Sequence, residues 1–487
     1  MKRIALLILS LLSFGLFSQV TFVSSFGTNP GNLNMYTYVP SGITGSAPVV
    51  VVLHGCTQTA AEAAVQTGWN KLADNYKFYI VYPEQKTTNN AQKCFNWFLT
   101  GDQEKDQGED LSIKQMVDYM KANYSIDTTR IFATGLSAGA AMTEVLCATY
   151  PEIFKAGAVL AGGPYKSATN VFEASSAMQG MITKTPSAWA NLVTAQNPTY
   201  TGAYPKMAFL HGTNDPVVNV NNLGESIKQW TAVHGADQQY DGLITDFGGN
   251  TLVVMTSYRN STEGEIARAF SISNFGHAIP LDTGSCSQQG GQTATYAYDI
   301  NFHSTWHVAH FFGLVDVTSS TLIINGPNCF TAFQTAVPYS VQQHSGSNYH
   351  WTVPVFSSVA GGQGTSAATI NFYDQPGILS VYEMNSSGCL NGPGEIWMDT
   401  CANVGLEEAG KSEYKVYLAN SRDLVIKGKL IEGSKVSVYD LLGNQILNEN
   451  TSGENVSLHL PEYIKEGIYL LEIISGNKSV TQKIFIH

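Results

Sequence analysis

The chemistry in this chain centres on a serine between two glycines. Residues 135–139 read Gly-Leu-Ser-Ala-Gly, so Ser137 occupies the middle of a G-x-S-x-G pattern. This pattern is typical of a sharp turn between a strand and a helix that presents a serine hydroxyl as a nucleophile. Glycine suits both flanks because side chains there would collide with the neighbouring strand and helix. An apolar run precedes the turn and helical spacing follows it, which favours a nucleophilic Ser137.

A nucleophilic serine needs a base, and His277 is the best placed of the 11 histidines. It lies in a glycine-containing loop that follows the predicted strand 268–272. The acid that would orient its imidazole is predicted to be Asp215, which follows the predicted strand 206–210. The chain order serine, aspartate, histidine is the order that accompanies such a turn. The alternatives for the acid are Asp241, Asp246 and Asp282.

Attack of a serine on a carbonyl group also needs backbone N–H groups that stabilise the negative charge developing on oxygen. One is expected from Ala138, because the residue after the nucleophile lies at the start of the following helix. The other is expected from the loop after the first core strand, and we assign it to Cys56. His54, in the same loop, is interpreted as structural rather than as a second base.

Three further histidines have a spacing that could bind a metal on one helix face. They are His303, His307 and His310, at positions i, i+4 and i+7. A zinc hydrolase would need an acidic residue that this helix does not supply, and the neighbouring aromatic residues indicate a buried helix. The sequence also contains no C-x-x-C pair. We therefore predict neither a metal nor a cofactor.

Apolar runs alternate with helical patterns over most of the first 316 residues. The predicted strands are 49–53, 78–82, 130–134, 156–160, 206–210 and 252–258, and the predicted helices are 59–74, 111–123 and 301–312. Continuous apolar strands suit a parallel sheet that is covered on both faces. The alternation predicts a doubly wound α/β domain.

One long connection interrupts this alternation. Residues 164–204 lie between two predicted strands and show only weak helical patterns. Such length is unusual for a simple connection in a compact domain. We interpret the segment either as a lid or cleft wall or as a structural crossover.

The N-terminus predicts export. Residues 1–18 begin with Lys2-Arg3 and continue with an apolar run, which is typical of a signal peptide. The run is too short to span a bilayer, and no other segment is apolar enough. Without Lys2 and Arg3, 24 basic residues would face 38 acidic ones, a net charge of −14. This charge argues against nucleic acid or an anionic membrane surface as a partner.

Seven cysteines accompany this export signal. Disulfides form in exported proteins, and an odd count leaves at least one cysteine free or in an intermolecular bond.

Composition changes in the C-terminal part, where no Lys or Arg occurs between Arg268 and Lys411. Residues 317–405 show short alternating strands separated by turn residues, which predicts a small β-sandwich with Trp351 in its core. Residues 406–412 are a predicted linker, and residues 413–487 predict a second small β-sandwich. The predicted architecture is therefore an α/β catalytic domain over residues 19–316, followed by two small all-β sandwich domains.

Five motifs together resemble the poly(3-hydroxybutyrate) depolymerase-type esterase family. They are LHGCTQ (53–58), CFNWF (94–98), TGLSAGAAMTEVLCATYPEIFKAGAVLAGGPY (134–165), HGTNDPVV (211–218) and GHAIPLD (276–282). The resemblance covers residues 26–314 and implies an α/β hydrolase fold and a secreted serine esterase with the triad Ser137, Asp215 and His277.

The same resemblance implies a disulfide between Cys56 and Cys94. It also places Trp97 in the substrate cleft, where we expect Gln58 as well. The family includes feruloyl and acetylxylan esterases.

The two β units carry resemblances of their own. Residues 317–404 are similar to PKD-like domains of secreted bacterial proteins. Residues 413–487 resemble a type IX secretion C-terminal sorting domain through VSVYDLLGNQIL (436–447) and GIYLLEI (467–473). This second resemblance implies export across an outer membrane, followed by release or attachment to the cell surface. The family's usual proline-asparagine-proline turn is absent at 418–421, which leaves the boundary of the unit open.

We therefore predict a secreted serine esterase that hydrolyses poly(3-hydroxybutyrate) or its oligomers. Its partners would be the polyester and the type IX secretion machinery. The alternative is a feruloyl or acetylxylan esterase acting on esters linked to plant polysaccharide. A more remote alternative is a non-catalytic surface protein that binds polymer. The PKD-like unit is interpreted as an inert spacer, with polymer binding as its alternative.

Overall fold

The structure is a computed structural model of the 487-residue chain. It describes residues 20–315, 322–401, 414–418, 422–440, 444–461, 464, 467–476 and 478–486. The predicted signal peptide (1–18), the predicted boundary at 316 and 317 and the predicted linker (406–412) lie outside the described residues. The chain divides into two compact units, Met1–Asp399 and Thr400–His487.

One large sheet dominates the first unit. Within residues 20–315 its strands are β1 (Thr21–Val23), β2 (Asn34–Tyr38), β3 (Ala47–Leu53), β4 (Tyr79–Glu84), β5 (Ile126–Leu136), β6 (Ala156–Leu160), β7 (Lys206–Gly212), β8 (Gly242–Ile244), β9 (Val253–Asn260) and β10 (Gly264–Ile272). Their order in the sheet is β1-β2-β4-β3-β5-β6-β7-β10-β9-β8. The run from β4 to β10 is parallel, and the strands outside it are antiparallel.

Helices cover both faces of this sheet. In residues 20–315 they are α1 (Ala60–Thr67), α2 (Trp69–Tyr76), α3 (Thr100–Gln103), α4 (Gly108–Asn123), α5 (Ala138–Thr149), α6 (Val171–Met178), α7 (Pro186–Thr194), α8 (Asn221–Val233) and α9 (Ser304–Phe311). A 3-10 turn (Phe247–Gly249) and the short parallel pair β11 (Ile279–Leu281) and β12 (Ala297–Asp299) complete this part.

Strand β3 shows why its sequence is apolar throughout. All of its residues are buried, and successive side chains point to opposite faces of the sheet. Val50 and Val52 pack into one core cluster, together with residues of α1, α2 and α9. Val49 and Val51 pack into a second cluster, together with residues of α4, α5 and α8. This two-sided burial is the arrangement that the continuous apolar runs predicted.

The predicted helix 59–74 was wrong in one respect, because it is two helices. Gly68 separates them with a left-handed backbone, φ 79°. A Cβ atom at this position would lie 2.5 Å from the backbone nitrogen of Gly291. The break therefore depends on a residue without a side chain, at a point where a distant loop approaches.

The long connection 164–204 contains α6 and α7, and α7 packs against the body of the domain. The Trp189 side chain is fully buried, and its Nε1 donates a hydrogen bond to Glu225 Oε2 at 2.6 Å. Glu225 lies on α8, so this half of the connection is structural.

Residues 322–399 form a β module with a core of its own. The first of its two sheets has the order β13 (Cys329–Phe330), β19 (Leu390–Thr400), β18 (Gly377–Met384), β15 (Asn348–Thr352). The second has the order β14 (Val337–Ser340), β17 (Ala367–Asn371), β16 (Ser358–Gly361). Leu379 and Val381 of the first sheet share one apolar cluster with Tyr339 and Ile370 of the second. Trp351 is buried in the same cluster, and its Nε1 donates a hydrogen bond to the carbonyl of Thr365 at 2.9 Å.

The β module belongs to the same compact unit as residues 20–315. A disulfide joins Cys286, in the loop after β11, to Cys389 of the module. The Tyr382 ring is buried against Phe247, with 5.6 Å between the ring centroids. Cys329 and Cys401 are each disulfide-bonded, whereas Cys147 is a buried free thiol.

A buried ion pair lies between the module and the large sheet. Arg268 of β10 contacts Glu265 at 2.7 Å and Glu395 of β19 at 3.0 Å, and its side chain is only 7% exposed. Burial alone would raise the pKa of Glu395, but the positive charge of Arg268 holds that pKa below its ordinary value. The β module and the large sheet are therefore linked by an ion pair whose cation is buried.

The second unit is built from long strands. Its described residues form β20 (Lys415–Leu418), β21 (Asp423–Tyr439), β22 (Gln445–His459), β23 (Gly467–Ser475) and β24 (Lys478–Ile486), which are joined in one hydrogen-bonded sheet. The middle of strand β22 is polar and exposed and shows no apolar alternation. No helix in the described part of the chain is both long and apolar enough to cross a membrane.

We expect Arg268→Met to lower the free energy of unfolding by about 1–3 kcal/mol, because it leaves the half-buried carboxylates of Glu265 and Glu395 without their cation. Urea titration of the exported chain measures this change. Lys114→Met is the matched control, since Lys114 pairs with Asp118 on the exposed face of α4. That control should change stability by about 0.5 kcal/mol or less. Equal effects of the two substitutions would contradict the prediction.

Candidate active site

Ser137 lies in the turn between β5 and α5 with a strained backbone. Its φ is 57° and its ψ is −120°, a conformation that costs a residue with a side chain on the order of 1–3 kcal/mol. The Ser137 N–H donates to the carbonyl of Leu160 on β6 at 2.9 Å, which ties the turn to the neighbouring strand. The structure thus places this serine on the sharp strand-to-helix turn that the sequence pattern predicted.

Close backbone contacts explain the two flanking glycines. A Cβ atom on Gly135 would lie 2.4 Å from the carbonyl carbon of Gly139. A Cβ atom on Gly139 would lie 2.4 Å from the carbonyl oxygen of Leu53, at the end of β3. Neither position can accept a side chain unless the backbone moves.

Asp215 and His277 are bonded to each other. Asp215 Oδ2 lies 2.7 Å from His277 Nδ1, and Asp215 Oδ1 accepts the N–H groups of Val217 and Val218 at 2.8 and 2.9 Å. Burial alone would raise the pKa of Asp215, but the His277 imidazole and these N–H groups lower it below the ordinary value. The carboxylate therefore stays charged, and it selects the imidazole tautomer with the proton on Nδ1.

Adjacent parallel strands bring these two residues together. β7 leads to Asp215 and β10 leads to His277, and the two strands pair in register up to Gly212 and Ile272. Beyond them, the Asn214 N–H donates to the carbonyl of Phe275 at 3.0 Å, so the two loops are hydrogen-bonded as well. Parallel neighbours end at the same edge of a sheet, which is why residues 62 positions apart meet.

Each alternative acid has a different partner. Asp241 accepts a hydrogen bond from the N–H of Arg259, Asp246 lies 2.9 Å from His350 of the β module, and Asp282 accepts from Gln289.

His211 is a neighbour of this pair that the sequence reasoning missed. Its Nε2 lies 2.8 Å from the carbonyl of Val218 and 3.6 Å from Asp215 Oδ2. Burial lowers the pKa of His211, so the ring is a neutral donor that fixes the turn after Asp215. The sequence feature that could have identified His211 is its position at the end of β7, four residues before Asp215.

The predicted oxyanion donors line the same cleft as Ser137. Cys56 and Ala138 both border this cleft, and neither backbone N–H donates a hydrogen bond to the protein in the part of the chain that the structure describes. Ala138 begins α5, where free N–H groups and the helix dipole favour negative charge. The two amides are therefore available to a ligand atom next to Ser137.

Gln58 does not line this cleft, so that prediction was wrong. Its side chain is buried behind the loop, where Oε1 accepts the N–H of Gly55 at 2.7 Å and Nε2 donates to Gln66 Oε1 at 2.7 Å. The Gln58 amide therefore holds the backbone of Gly55, the residue before Cys56, by a hydrogen bond.

His54 is held as a structural residue at the start of the same loop. Its Nε2 accepts the N–H of Gln85 at 3.0 Å, and its Nδ1 lies 2.7 Å from the carbonyl of Gly55. Burial lowers the pKa of His54 to about 4, so the ring stays neutral.

A disulfide ties the oxyanion loop to the segment that carries Trp97. Cys56 and Cys94 are bonded, with 4.2 Å between their Cα atoms, which is the pairing that the family resemblance implied. The buried Glu109 carboxylate accepts the N–H of Asn96 at 2.7 Å and holds this segment against α4. Trp97 borders the cleft, as does Phe98.

The cleft itself has a volume of about 350 Å³ and mostly apolar walls. Trp97 and Phe98 contribute to its lining, as do Val171, Ala174 and Met178 of α6. The α6 half of the long connection is therefore a cleft wall, whereas the α7 half is structural.

The three histidines of the α9 region make separate contacts. His303 lies between the carbonyls of Gln288 and Thr67, at 3.0 and 3.1 Å. The His307 ring stacks on Phe302 and the His310 ring on Trp306. Burial lowers the pKa of all three rings.

Two sequence families match this chain. Residues 33–240 match the family described as Esterase PHB depolymerase, and residues 420–487 match the secretion system C-terminal sorting domain. The second match confirms the predicted type IX sorting domain and supports a secreted or cell-surface-attached protein.

Similar proteins extend the first match. Poly(3-hydroxyalkanoate) depolymerase C of Paucimonas lemoignei is 47% identical over 296 residues, which are 61% of this chain and 70% of that protein. Feruloyl esterase B of Talaromyces stipitatus is 34% identical over 54% of this chain and 74% of its own length. The structure of an acetyl xylan esterase from Aspergillus awamori has a TM-score of 0.52 and 26% identity, covering 61% of this chain and all of that one.

These relatives are carboxylic ester hydrolases, and the solved structure confirms the α/β hydrolase fold of residues 20–315. With 47% identity to a relative of which it covers 70%, this chain belongs to the Esterase PHB depolymerase family.

Proposed function

We propose that Ser137, His277 and Asp215 form the catalytic triad of this ester hydrolase. The observation that carries the proposal is the 2.7 Å contact between His277 Nδ1 and the buried Asp215 carboxylate. This contact leaves Nε2 with a free lone pair, and it stabilises the imidazolium that forms when Nε2 takes a proton. The strained turn at Ser137 supports the proposal, because it presents the hydroxyl at the start of α5.

The reaction then follows from these positions. His277 Nε2 takes the proton of Ser137 Oγ as that oxygen attacks the ester carbonyl, and the same proton goes to the departing alcohol. The N–H groups of Cys56 and Ala138 donate to the carbonyl oxygen while it carries negative charge. A water molecule, deprotonated by His277, releases the acid from Ser137.

We propose poly(3-hydroxybutyrate) or its oligomers as the substrate. The relative at 47% identity is named for a polyester, and the apolar lining of the cleft offers no charge to a neutral aliphatic ester chain. Apolar walls can bury the methyl and methylene groups of such a chain, at roughly 0.8 kcal/mol per buried CH₂. Feruloyl or acetylxylan ester hydrolysis is the second candidate, because relatives with those names are also similar.

We also propose three domains: residues 19–316, 317–405 and 413–487. For the middle one, Tyr339 of one sheet and Leu379 of the other lie in the same apolar cluster, which supports a PKD-like β-sandwich. In the last one, Leu424 and Val436 of the long strand β21 are buried in one apolar cluster, which supports a second sandwich built from the strands of a single sheet. The type IX secretion machinery would recognise this domain.

Ser137→Ala should reduce kcat for p-nitrophenyl butyrate by about 10⁴-fold or more, since the variant lacks the hydroxyl on the strained turn that attacks the ester. Ser175→Ala is the control, because Ser175 borders the same cleft from α6. It should retain most of the wild-type rate. Wild-type turnover by Ser137→Ala would rule out the proposed nucleophile.

The pH profile tests the Asp215–His277 pair. Because the pKa of Asp215 lies below its ordinary value, this carboxylate is already charged at neutral and mildly acidic pH. We expect log(kcat/KM) to rise on the acid side of the profile with a limiting slope of one, because a single proton has to leave the free enzyme before it can act. A slope of two would contradict this prediction, and Asp215→Asn should lower kcat by about 10⁴-fold.

The substrate is tested by direct competition between polymers. We expect clearing of poly(3-hydroxybutyrate) films by the exported chain and no comparable release of ferulate or acetate from xylan. The film assay should be inactive with Ser137→Ala. Faster release of ferulate or acetate than of hydroxybutyrate would favour the second candidate.

A further inference from the structure

Three aromatic rings form an exposed cluster on the β module. Phe333, Phe356 and Tyr373 are 61%, 74% and 43% exposed. The Phe333 and Tyr373 rings lie 4.9 Å apart between centroids, and those of Phe356 and Tyr373 lie 5.7 Å apart. Single exposed apolar residues are ordinary, but contiguous apolar patches mark binding surfaces.

Both phenylalanines are held in a backbone conformation that disfavours them. The φ angles of Phe333 and Phe356 are 62° and 64°, in the left-handed region. Each is the third residue of a four-residue turn, closed by Gln334 N–H to Thr331 O and by Ser357 N–H to Pro354 O, both at 3.0 Å. Glycine is the residue that such turns favour at this position.

Folding stability does not explain these residues. Their rings bury little surface, so they add little hydrophobic stabilisation, and their backbones are strained. Strained residues that persist despite such costs are typical of functional sites. Exposure and strain therefore point to the same two side chains.

Hydrogen bonds hold together the backbone segments that carry the three rings. The Phe333 N–H donates to the carbonyl of Tyr373 at 3.0 Å, and the Tyr373 N–H donates to Ser357 Oγ at 3.2 Å. The cluster is therefore preorganised, which limits the entropy lost on binding.

The surroundings of the cluster carry little charge. Residues 322–399 contain no Lys or Arg. Two of the module's carboxylates are engaged, since Glu383 is buried beside His344 and Glu395 pairs with Arg268. Asp374, next to Tyr373, contributes a negative charge that disfavours acidic polymers. An uncharged partner fits this surface best.

We propose that the Phe333–Tyr373–Phe356 cluster adsorbs the protein onto the surface of solid polyester. The inference deepens the proposed function, because it assumes that the substrate is a neutral polyester. The rings are inclined at 83° and 63° to each other, so they form no flat platform of parallel faces for sugar rings. Two of them are phenylalanines, which offer no hydrogen bond to hydroxyl groups.

The attachment of the module makes adsorption useful for hydrolysis. The module shares one compact unit with the esterase domain and is joined to it by the Cys286–Cys389 disulfide and by Arg268. The esterase domain is therefore carried to the polymer surface together with the cluster, and the adsorbed enzyme stays close to its substrate.

The test is a double variant, Phe333→Gly with Phe356→Gly, in the full exported chain. Glycine favours both turns, so the variant should fold with an unchanged or higher Tm. We expect adsorption to poly(3-hydroxybutyrate) granules to weaken at least 10-fold and hydrolysis of p-nitrophenyl butyrate to stay unchanged. The double variant Phe333→Asn with Phe356→Asn should give the same results as the glycine double variant, because asparagine also tolerates this backbone.

Ala336→Gly is the matched control, because Ala336 also has a left-handed backbone in the same module, φ 54°, but carries no ring. It should adsorb like the unsubstituted protein. Adsorption is measured in chains that also carry Ser137→Ala, so the result does not depend on whether the polyester is hydrolysed.

Unchanged adsorption of both double variants would overturn the inference. Loss of binding to insoluble xylan with retained binding to polyester would also overturn it, and would identify a polysaccharide site instead. Failure of the proposed function would be seen separately, as intact granules exposed to the active protein.

Discussion

The turn around Ser137 has no room for a side chain at Gly135 or at Gly139, and this constraint organises the active-site edge of the sheet. Gly135 and Gly139 touch each other, and Gly139 lies against the end of β3 at Leu53. The loop that carries Cys56 starts at that contact. The same close packing therefore strains the serine, begins α5 beneath it and brings the oxyanion loop alongside. A methyl group at either glycine would push these parts away from one another.

The other half of the site depends on burial and on hydrogen bonds to charge. Asp215 is nearly buried, yet it stays ionised because His277 and two backbone N–H groups surround its oxygens. His211 holds the turn that supplies those N–H groups. A buried carboxylate without such partners would take up a proton, and it would then no longer select the imidazole tautomer with the proton on Nδ1. The geometry of one turn thus decides the protonation state of the site.

The β module is attached to the elements that lead to and follow His277. Arg268 lies on β10, which ends shortly before His277, and Cys286 lies in the loop that follows β11. Both connect to the module, through Glu395 and Cys389. A buried ion pair of this kind gives modest net stability, but breaking it leaves an unpaired charge, so it enforces one arrangement of the two domains. This arrangement argues against a free spacer and is consistent with a module that works together with the esterase domain.

The sequence by itself determined the features that depend on local geometry and chain order. The glycines around Ser137, the continuous apolar strands and the position of Asp215 and His277 after two of them predicted the α/β sheet and the site at its edge. Gly68 divided a predicted helix because a distant loop approaches it, and Gln58 turned away from the cleft to satisfy Gly55. Only the tertiary structure could decide these features, together with the attachment of the β module and the contact between the Phe333, Tyr373 and Phe356 rings. They depend on contacts between residues that are far apart in the chain, and local sequence patterns do not encode such contacts.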